Sequence, residues 1–253
     1  MVEDLKKLMI DSFGSEGAQK RYTMLAEGGL WDAEKLIINK YFKKKGVLLD
    51  LGCGTGRTTI PLQKMGFDVI GVDIVPEMIQ TARELARSKG MKLNYRVGDA
   101  TELKFKDNTF DYVLFSNQGW THIPGRDDRQ KALKEILRVL KKGGIFVFTT
   151  HKRTYSGEYI PFWIKQGVKQ FILKPIGVKI KEIDFGDRFY FKESGDREIT
   201  YKKSQYIHVP AVGEVIKEII KSGFELVEVN STLQPHNKTP LKYPPAFFVC
   251  KKR

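Results

Sequence analysis

Short apolar runs alternate with helical patterns along most of this chain. VLLDL (47–51), DVIGVD (68–73), KLNYRV (92–97), FDYVLFS (110–116) and IFVFTT (145–150) are rich in β-branched or aromatic residues and read as strands. Between them lie segments with helical spacing: Thr55 to Lys64, a stretch opened by Pro76 at its first turn, and Arg129 to about Leu140. The last is followed by Lys141-Lys142-Gly143-Gly144, basic residues then glycine, which reads as a helix stop. This alternation predicts βαβ units and a parallel sheet covered on both faces. In such sheets a ligand binds at the carboxyl ends of the strands, where the strand order reverses.

The flanks differ. Residues 1–45 read as two helical segments around Gly28–Gly29, the second from Trp31 to Phe42 with Trp31, Leu36, Ile37 and Tyr41 near helical spacing. Residues 151–210 hold eleven of the 29 aromatics and twelve Lys/Arg against seven Asp/Glu. A helix (Ala211 to Lys221) and two strands, FELVEVN (224–230) and AFFVCK (246–251), follow. A turn-rich segment joins those strands without a crossover helix, so they are expected to pair antiparallel. The chain therefore reads as one domain over 1–253, with an N-terminal helical segment (1–45) and an aromatic, basic cap (151–210) inserted between the fifth and sixth strands of the sheet.

Composition narrows the setting. No stretch among the 253 residues approaches the roughly 20 apolar residues of a membrane span. The first fifteen residues lack the apolar core of a secretory signal. Cys53 and Cys250 alone cannot build a disulfide framework, and the four histidines show no metal-ligand spacing among themselves or with either cysteine. A soluble protein of a reducing cytoplasm, holding no metal, is expected. The net charge of +14 favours nucleic acid, anionic membrane surfaces or acidic small molecules.

The candidate chemistry begins at Asp50-Leu51-Gly52-Cys53-Gly54-Thr55-Gly56, where the first strand meets the first helix. Glycines there let the backbone turn sharply and approach a ligand. Dinucleotide-binding loops use G-x-G-x-x-G at this place. Here the spacing is G-x-G-x-G, and Arg57 stands where the third glycine would be. A carboxylate at Asp50 suits an ammonium better than a phosphate. Asp73, ending the second strand, can accept hydrogen bonds from both hydroxyls of a ribose. Asp99, just beyond the third strand, can accept one from an adenine amine. Cys53 has no neighbour in sequence that would lower its pKa and reads as a small buried filler.

With these motifs the chain resembles the class I S-adenosylmethionine-dependent methyltransferases. VLLDLGCGTGR (47–57), VIGVD (69–73), GDATEL (98–103), FDYVLFSN (110–117) and LKEILRVLKKGGIFVF (133–148) carry the resemblance in order. It implies a Rossmann-like α/β fold with seven strands, mostly parallel, helices on both faces and an antiparallel last strand. It implies that Gly52, Cys53, Gly54 and Gly56 hold the methionine end of S-adenosyl-L-methionine, with Asp50 beneath. It places Asp73 on the ribose, Ile74 and Met78 beside the adenine, and Asp99 and Ala100 at its edge. Ser116 and Asn117 would line the wall nearest the methyl group. Tyr22 would cover the cofactor, because the family's N-terminal helices often fold over it.

Methyl transfer from a sulfonium is a single in-line displacement, so positioning and exclusion of water are the main tasks expected of the protein. Tyr22, Trp31 and Trp120 are candidates for aromatic contact with the cation. His122 and His151, both on the carboxyl side of the sheet, are candidate bases. Substrate selection falls to the N-terminal helices and the cap. A small-molecule acceptor under an apolar lid is the first reading. The alternative is RNA, with Lys165, Lys169, Lys174, Lys179, Lys202 and Lys203 meeting phosphates while aromatics stack bases. In its favour, GDRFYF (186–191) and YIHV (206–209) distantly resemble tRNA wobble-uridine methyltransferases, and Ser231 to Arg253 adds five Lys/Arg and no acid. A cofactor-binding scaffold without catalysis is the third reading. The acceptor atom and the oligomeric state are not legible.

Overall fold

The computed structural model describes residues 1–194 and 201–253, with the side chains of 191–194 and 201–204 also outside the description. Three helices, α1 (Val2–Phe13), α2 (Glu16–Glu27) and α3 (Asp32–Tyr41), precede β1 (Val47–Leu51). Then come α4 (Thr59–Lys64), β2 (Asp68–Asp73), α5 (Pro76–Ser88), β3 (Asn94–Val97), β4 (Phe110–Phe115), α6 (Arg126–Val139) and β5 (Leu140–Thr150). The cap supplies α7 (Ile160–Val168) and an antiparallel pair, β6 (Asp187–Ser194) with β7 (Tyr201–His208). The chain closes with α8 (Val212–Ser222), β8 (Glu225–Asn230) and β9 (Ala246–Lys251).

Seven strands form one sheet in the order β3-β2-β1-β4-β5-β9-β8. The pairings from β3 to β5 are parallel, and β9 runs antiparallel to both β5 and β8. The expected fold class holds, including the antiparallel last strand and the cap between β5 and β8. Strand order reverses between β1 and β4, which opens a crevice at their carboxyl ends.

Apolar runs buried on both sides sort themselves by alternation. Leu49, Val113, Phe115, Phe146 and Phe148 face the core under α6 and α8, where Leu133, Ile136, Val215 and Ile219 meet them. Leu48, Tyr112, Leu114 and Val147 face the opposite core, against Ile37 and Ile38 of α3 and Leu62 of α4. The helices thus fix the sheet from both sides and hold its carboxyl edge rigid.

Local boundaries moved for identifiable reasons. The N-terminal segment has three helices rather than two, because Ser15 leaves helical geometry (φ −66, ψ 149) while its hydroxyl donates to Ser12 O at 2.8 Å. The helix expected from Thr55 starts at Thr59, since Gly56 has φ +94 and the turn runs on through it. α6 opens at Arg126, after Gly125 at φ +79. Lys141 to Gly144 follow the end of that helix as expected but already belong to β5, with Gly143 N–H donating to Lys252 O at 2.8 Å and Lys252 N–H to Gly144 O at 3.0 Å.

The cap is tied down by buried arginines. Arg153 donates to Val209 O, Phe185 O and both oxygens of Glu214 at 2.8–3.1 Å. Arg129 in α6 pairs with Asp184 at 2.9 Å. Below it His208 Nδ1 and Tyr206 Oη sit 2.8 and 2.9 Å from Asp187 Oδ1. Asp184, Asp187 and His208 have the spacing of a metal cluster. Asp187 Oδ2 accepts the N–H groups of Ile183 and Asp184, and with Arg129 on Asp184 the group is a hydrogen-bonded brace.

Candidate active site

β1 delivers the chain into a turn that only glycine fits comfortably. Gly52 and Gly54 have φ +63 and +53, and a Cβ on Gly52 would lie 2.6 Å from the Phe115 ring. A Cβ on Gly54 would project into open space, on the side where the loop lines a cleft. Gly54 N–H donates to Asp73 Oδ2 at 2.8 Å and Val75 N–H to Oδ1 at 3.0 Å. Burial still holds the Asp73 carboxyl above its ordinary value, although the N–H groups of Val75, Gly54 and Ile74 work against it. Such a carboxylate has room for further donors.

The cleft encloses about 980 Å³ counting its open mouth. Tyr22, Gly52, Gly54, Asp73, Ile74, Met78, Asp99, Ala100, Ser116 and Asn117 all line it. Phe13 and Tyr22 pack with Ile74, Val75 and Met78, so α1 and α2 roof one end. Burial pushes the Tyr22 phenol up to about 12, which keeps it neutral. Asp99 is held below its ordinary value against its burial by Lys6, with which it pairs, and by the Thr101 N–H. Any adenine amine there would share Asp99 with Lys6.

Asp50, Cys53 and Gly56 stand behind the loop rather than along the cleft. Asp50 is 1% exposed, and its Oδ2 accepts the hydroxyls of Thr58 and Thr59 at 2.7 and 2.6 Å. Its Oδ1 has no partner, and burial raises the carboxyl to about 6. Cys53 packs with Ile79, Ala82 and Tyr95, and burial pushes its thiol well up. Trp31 covers the Arg57 guanidinium at 4.5 Å, and Trp120 is buried against Phe148. Of the three aromatics considered for cation contact, Tyr22 alone lines the cleft.

Arg57 explains the departure from a dinucleotide loop. Its guanidinium makes a two-pronged bond to Glu34 at 2.7 and 2.8 Å and reaches Ser116 Oγ at 3.0 Å. Glu34 also accepts the Trp31 N–H, opening α3, and the Ser116 hydroxyl. One buried ion pair therefore joins α3, the glycine loop and the cleft wall. Glu34 lies upstream of the first motif, which opens at Val47, and gave no sequence signal. Met9 and Phe13, four apart on α1, and Phe115, the residue before Ser116-Asn117, also line the cleft and were missed.

A second cavity adjoins the first. Asn117 and Gln118, consecutive residues with φ +48 and +57, stand on the cleft and on the second cavity respectively. Two left-handed non-glycine residues in a row are costly and recur at functional sites. Gln118 N–H is anchored on Thr149 Oγ1 at 2.8 Å. His122 lines the cleft and His151 the cavity, their rings perpendicular at 6.1 Å. Tyr206 O accepts from His122 Nδ1 at 3.1 Å, so the basic nitrogen of neutral His122 is Nε2. The cavity is lined by Tyr159, Trp163 and Tyr243, and among the described lining residues the charged ones are Lys152 and Arg188, with no acid.

Of the lysines considered for phosphate contact, Lys169 pairs with Glu182 at 2.6 Å and Lys174 donates to Ile183 O at 2.7 Å. Lys165 and Lys179 are exposed, and the side chains of Lys202 and Lys203 lie outside the described residues.

The donor set fits S-adenosylmethionine: a carboxylate with spare acceptor capacity at a strand end, an open glycine backbone, and an apolar slot at Ile74 and Met78. A family model described as a methyltransferase domain matches residues 49–148. The 2-methyl-6-phytyl-1,4-hydroquinone methyltransferase of Synechocystis is 35% identical over 127 residues, covering 49% of this chain and 38% of that protein. The chain spans only 35–59% of the length of such curated relatives. The PH0226 protein of Pyrococcus horikoshii aligns at TM-score 0.63 and 26% identity, covering 95% of both chains. A SAM-dependent methyltransferase of Methanosarcina mazei shares the fold at TM-score 0.66 and 23% identity, over 88% of this chain and 98% of that one. With its glycine loop, its strand-end carboxylates and this sheet order, the chain carries a methyltransferase domain over 49–148 and is similar in fold to S-adenosylmethionine-dependent methyltransferases.

Proposed function

We propose that this chain methylates a small anionic acceptor bearing an aromatic or otherwise apolar body, held in the second cavity. When bound, S-adenosylmethionine supplies an activated methyl on a sulfonium, so displacement needs only an aligned nucleophile. The observation that carries this reading is the junction at Asn117–Gln118, where the cleft and the cavity meet across His122 and His151. Asp73 would accept from the ribose hydroxyls, and the Gly52–Gly54 backbone would leave room for the methionine end. Met9, Phe13 and Tyr22 would exclude water from the roof. On the acceptor side Tyr159 and Trp163 would stack or pack on the body, while Arg188 and Lys152 would balance its negative charge. His122 Nε2 and His151 stand where a proton leaving an oxygen or nitrogen nucleophile could be taken.

The test is transfer of labelled methyl from S-adenosylmethionine into cell extract, fractionated by size and charge, with and without RNase. Label in a small anionic fraction is expected. Label in large RNase-sensitive material would replace this reading with the RNA one. Cofactor binding without transfer to any fraction would favour a scaffold. The 1–253 chain would act as one unit, its cap forming the acceptor wall.

A further inference from the structure

The cap helix has two apolar faces, and only one is used. Trp163 and Gln166 point inward and are buried, with Trp163 packed on Ile207 and Val209. Ile160, Ile164, Val168, Phe171 and Ile172, spaced four, four, three and one apart, point outward. Their exposure reaches 63% at Ile164 and 66% at Phe171, and Ile176, just beyond a π-helical turn over Lys169–Leu173, is 72% exposed. A contiguous exposed stripe of this kind marks a docking surface.

The charges on the same stretch say what it meets. From Tyr159 to Lys181 there are five lysines and no acid. Lys169 and Lys174 are held by Glu182 and Ile183 O, but Lys165, Lys179 and Lys181 are exposed around the apolar stripe. A protein partner would have to be both apolar and strongly acidic over one patch. A bilayer with anionic headgroups offers that combination everywhere on its surface. We propose that the outer face of α7 and the turn after it seats the protein on an anionic lipid surface, the apolar side chains entering the headgroup boundary and the lysines meeting phosphates. No helix among the described residues is long and apolar enough to cross a membrane, so the contact is peripheral. The inner face of the same helix walls the second cavity through Trp163, which brings that cavity close to the lipid. The docking stands independently of whether methyl is transferred there.

The experiment is co-sedimentation of the full chain with vesicles of phosphatidylglycerol and phosphatidylcholine, against phosphatidylcholine alone. Binding to the anionic vesicles is expected, falling roughly tenfold on neutral ones. Ile164→Glu and Ile176→Glu should each lower partitioning by roughly tenfold or more, with melting temperature unchanged because both side chains are mostly in water. Absence of vesicle binding at low salt would overturn the proposal. Full binding by both variants would overturn it as well, since the charge alone, from anywhere on the surface, would then suffice. A dimer in light scattering that Ile164→Glu dissociates would assign the face to a second copy instead.

Discussion

The two adjoining cavities are built on opposite plans. The cleft is made of backbone and strand ends: Gly52 and Gly54 after β1, Asp73 after β2, Ser116 and Asn117 after β4. Its carboxylates, Asp73, Asp99 and Asp128, outnumber its one lysine, Lys6, which is already paired with Asp99. The second cavity is made of side chains gathered from the end of β5, from α7 and the β6–β7 pair, and from the loop before β9, and its formal charges are positive. An acidic cleft suits a cofactor with ammonium and sulfonium cations. A basic cavity beside it suits an anionic partner. The difference teaches that the frame sets which cofactor enters, while the inserted segment sets what is brought to it.

The variant that should most damage the frame of the cleft is Arg57→Met. It leaves Glu34, which is 2% exposed, without its two-pronged partner, and takes from Ser116 Oγ at the cleft wall one of its two partners. Breaking one side of a buried ion pair costs about 3–5 kcal/mol. Denaturant unfolding should show that loss, and Glu34→Gln added to it should recover part. A loss below about 1 kcal/mol would mean that the pair does not hold α3 against the glycine loop.

Asp50 separates the frame from the cleft by its pH dependence. Its folded carboxyl, near 6, lies above its unfolded value, so the folded state binds the extra proton between about pH 4 and 6. Stability from this group therefore falls as pH rises through that window and stays flat above it. Asp50→Asn should gain on the native chain by about 2–3 kcal/mol between pH 4 and 7 in parallel denaturation curves. Parallel curves with no pH-dependent gap would show that Asp50 ionises freely. Asp73→Ala acts at the cleft, where it also releases the Gly54 and Val75 N–H groups: S-adenosylmethionine affinity in calorimetry should fall by about 1–3 kcal/mol. An unchanged affinity would remove Asp73 from the ribose.

These contrasts also explain what the sequence disclosed. The mostly parallel sheet, its antiparallel last strand and the glycine loop were legible because short apolar runs, the missing crossover helix and closely spaced glycines leave local marks. Gly52 against Phe115 and Asp73 against Gly54 N–H are consequences of that local grammar. Glu34 was not legible, because its meaning comes from Arg57, 23 residues away, and from α3 folding back over the loop. α6 ends within one residue of the end that the pattern at Lys141 to Gly144 announced, but pairing with the C-terminal strand draws those residues into β5, which starts at Leu140 rather than 145. Tyr243, Arg188 and Gln118 meet only after the cap, the last loop and β4 have packed, so no spacing could announce the second cavity.

The sharpest and smallest test of the comparison is Arg188→Met. Arg188 is half-buried, its guanidinium lies 5.4 Å from the Phe162 ring, and it lines the cavity with no acid beside it among the lining residues. Methionine keeps most of the length and the apolar contact while removing the charge. A charge-assisted contact to an anionic acceptor contributes about 1.5–3 kcal/mol when well formed, and partial exposure reduces it to about 1–2 kcal/mol here. At subsaturating acceptor fraction, methyl transfer should fall roughly tenfold. Raising the acceptor concentration should restore the rate, and calorimetric affinity for S-adenosylmethionine should not move, since Arg188 does not line the cleft. A loss that no acceptor concentration restores would make Arg188 a structural support of β6. A rate indifferent to the substitution would strip the negative charge from the acceptor, leaving the cavity to select by its aromatic walls alone.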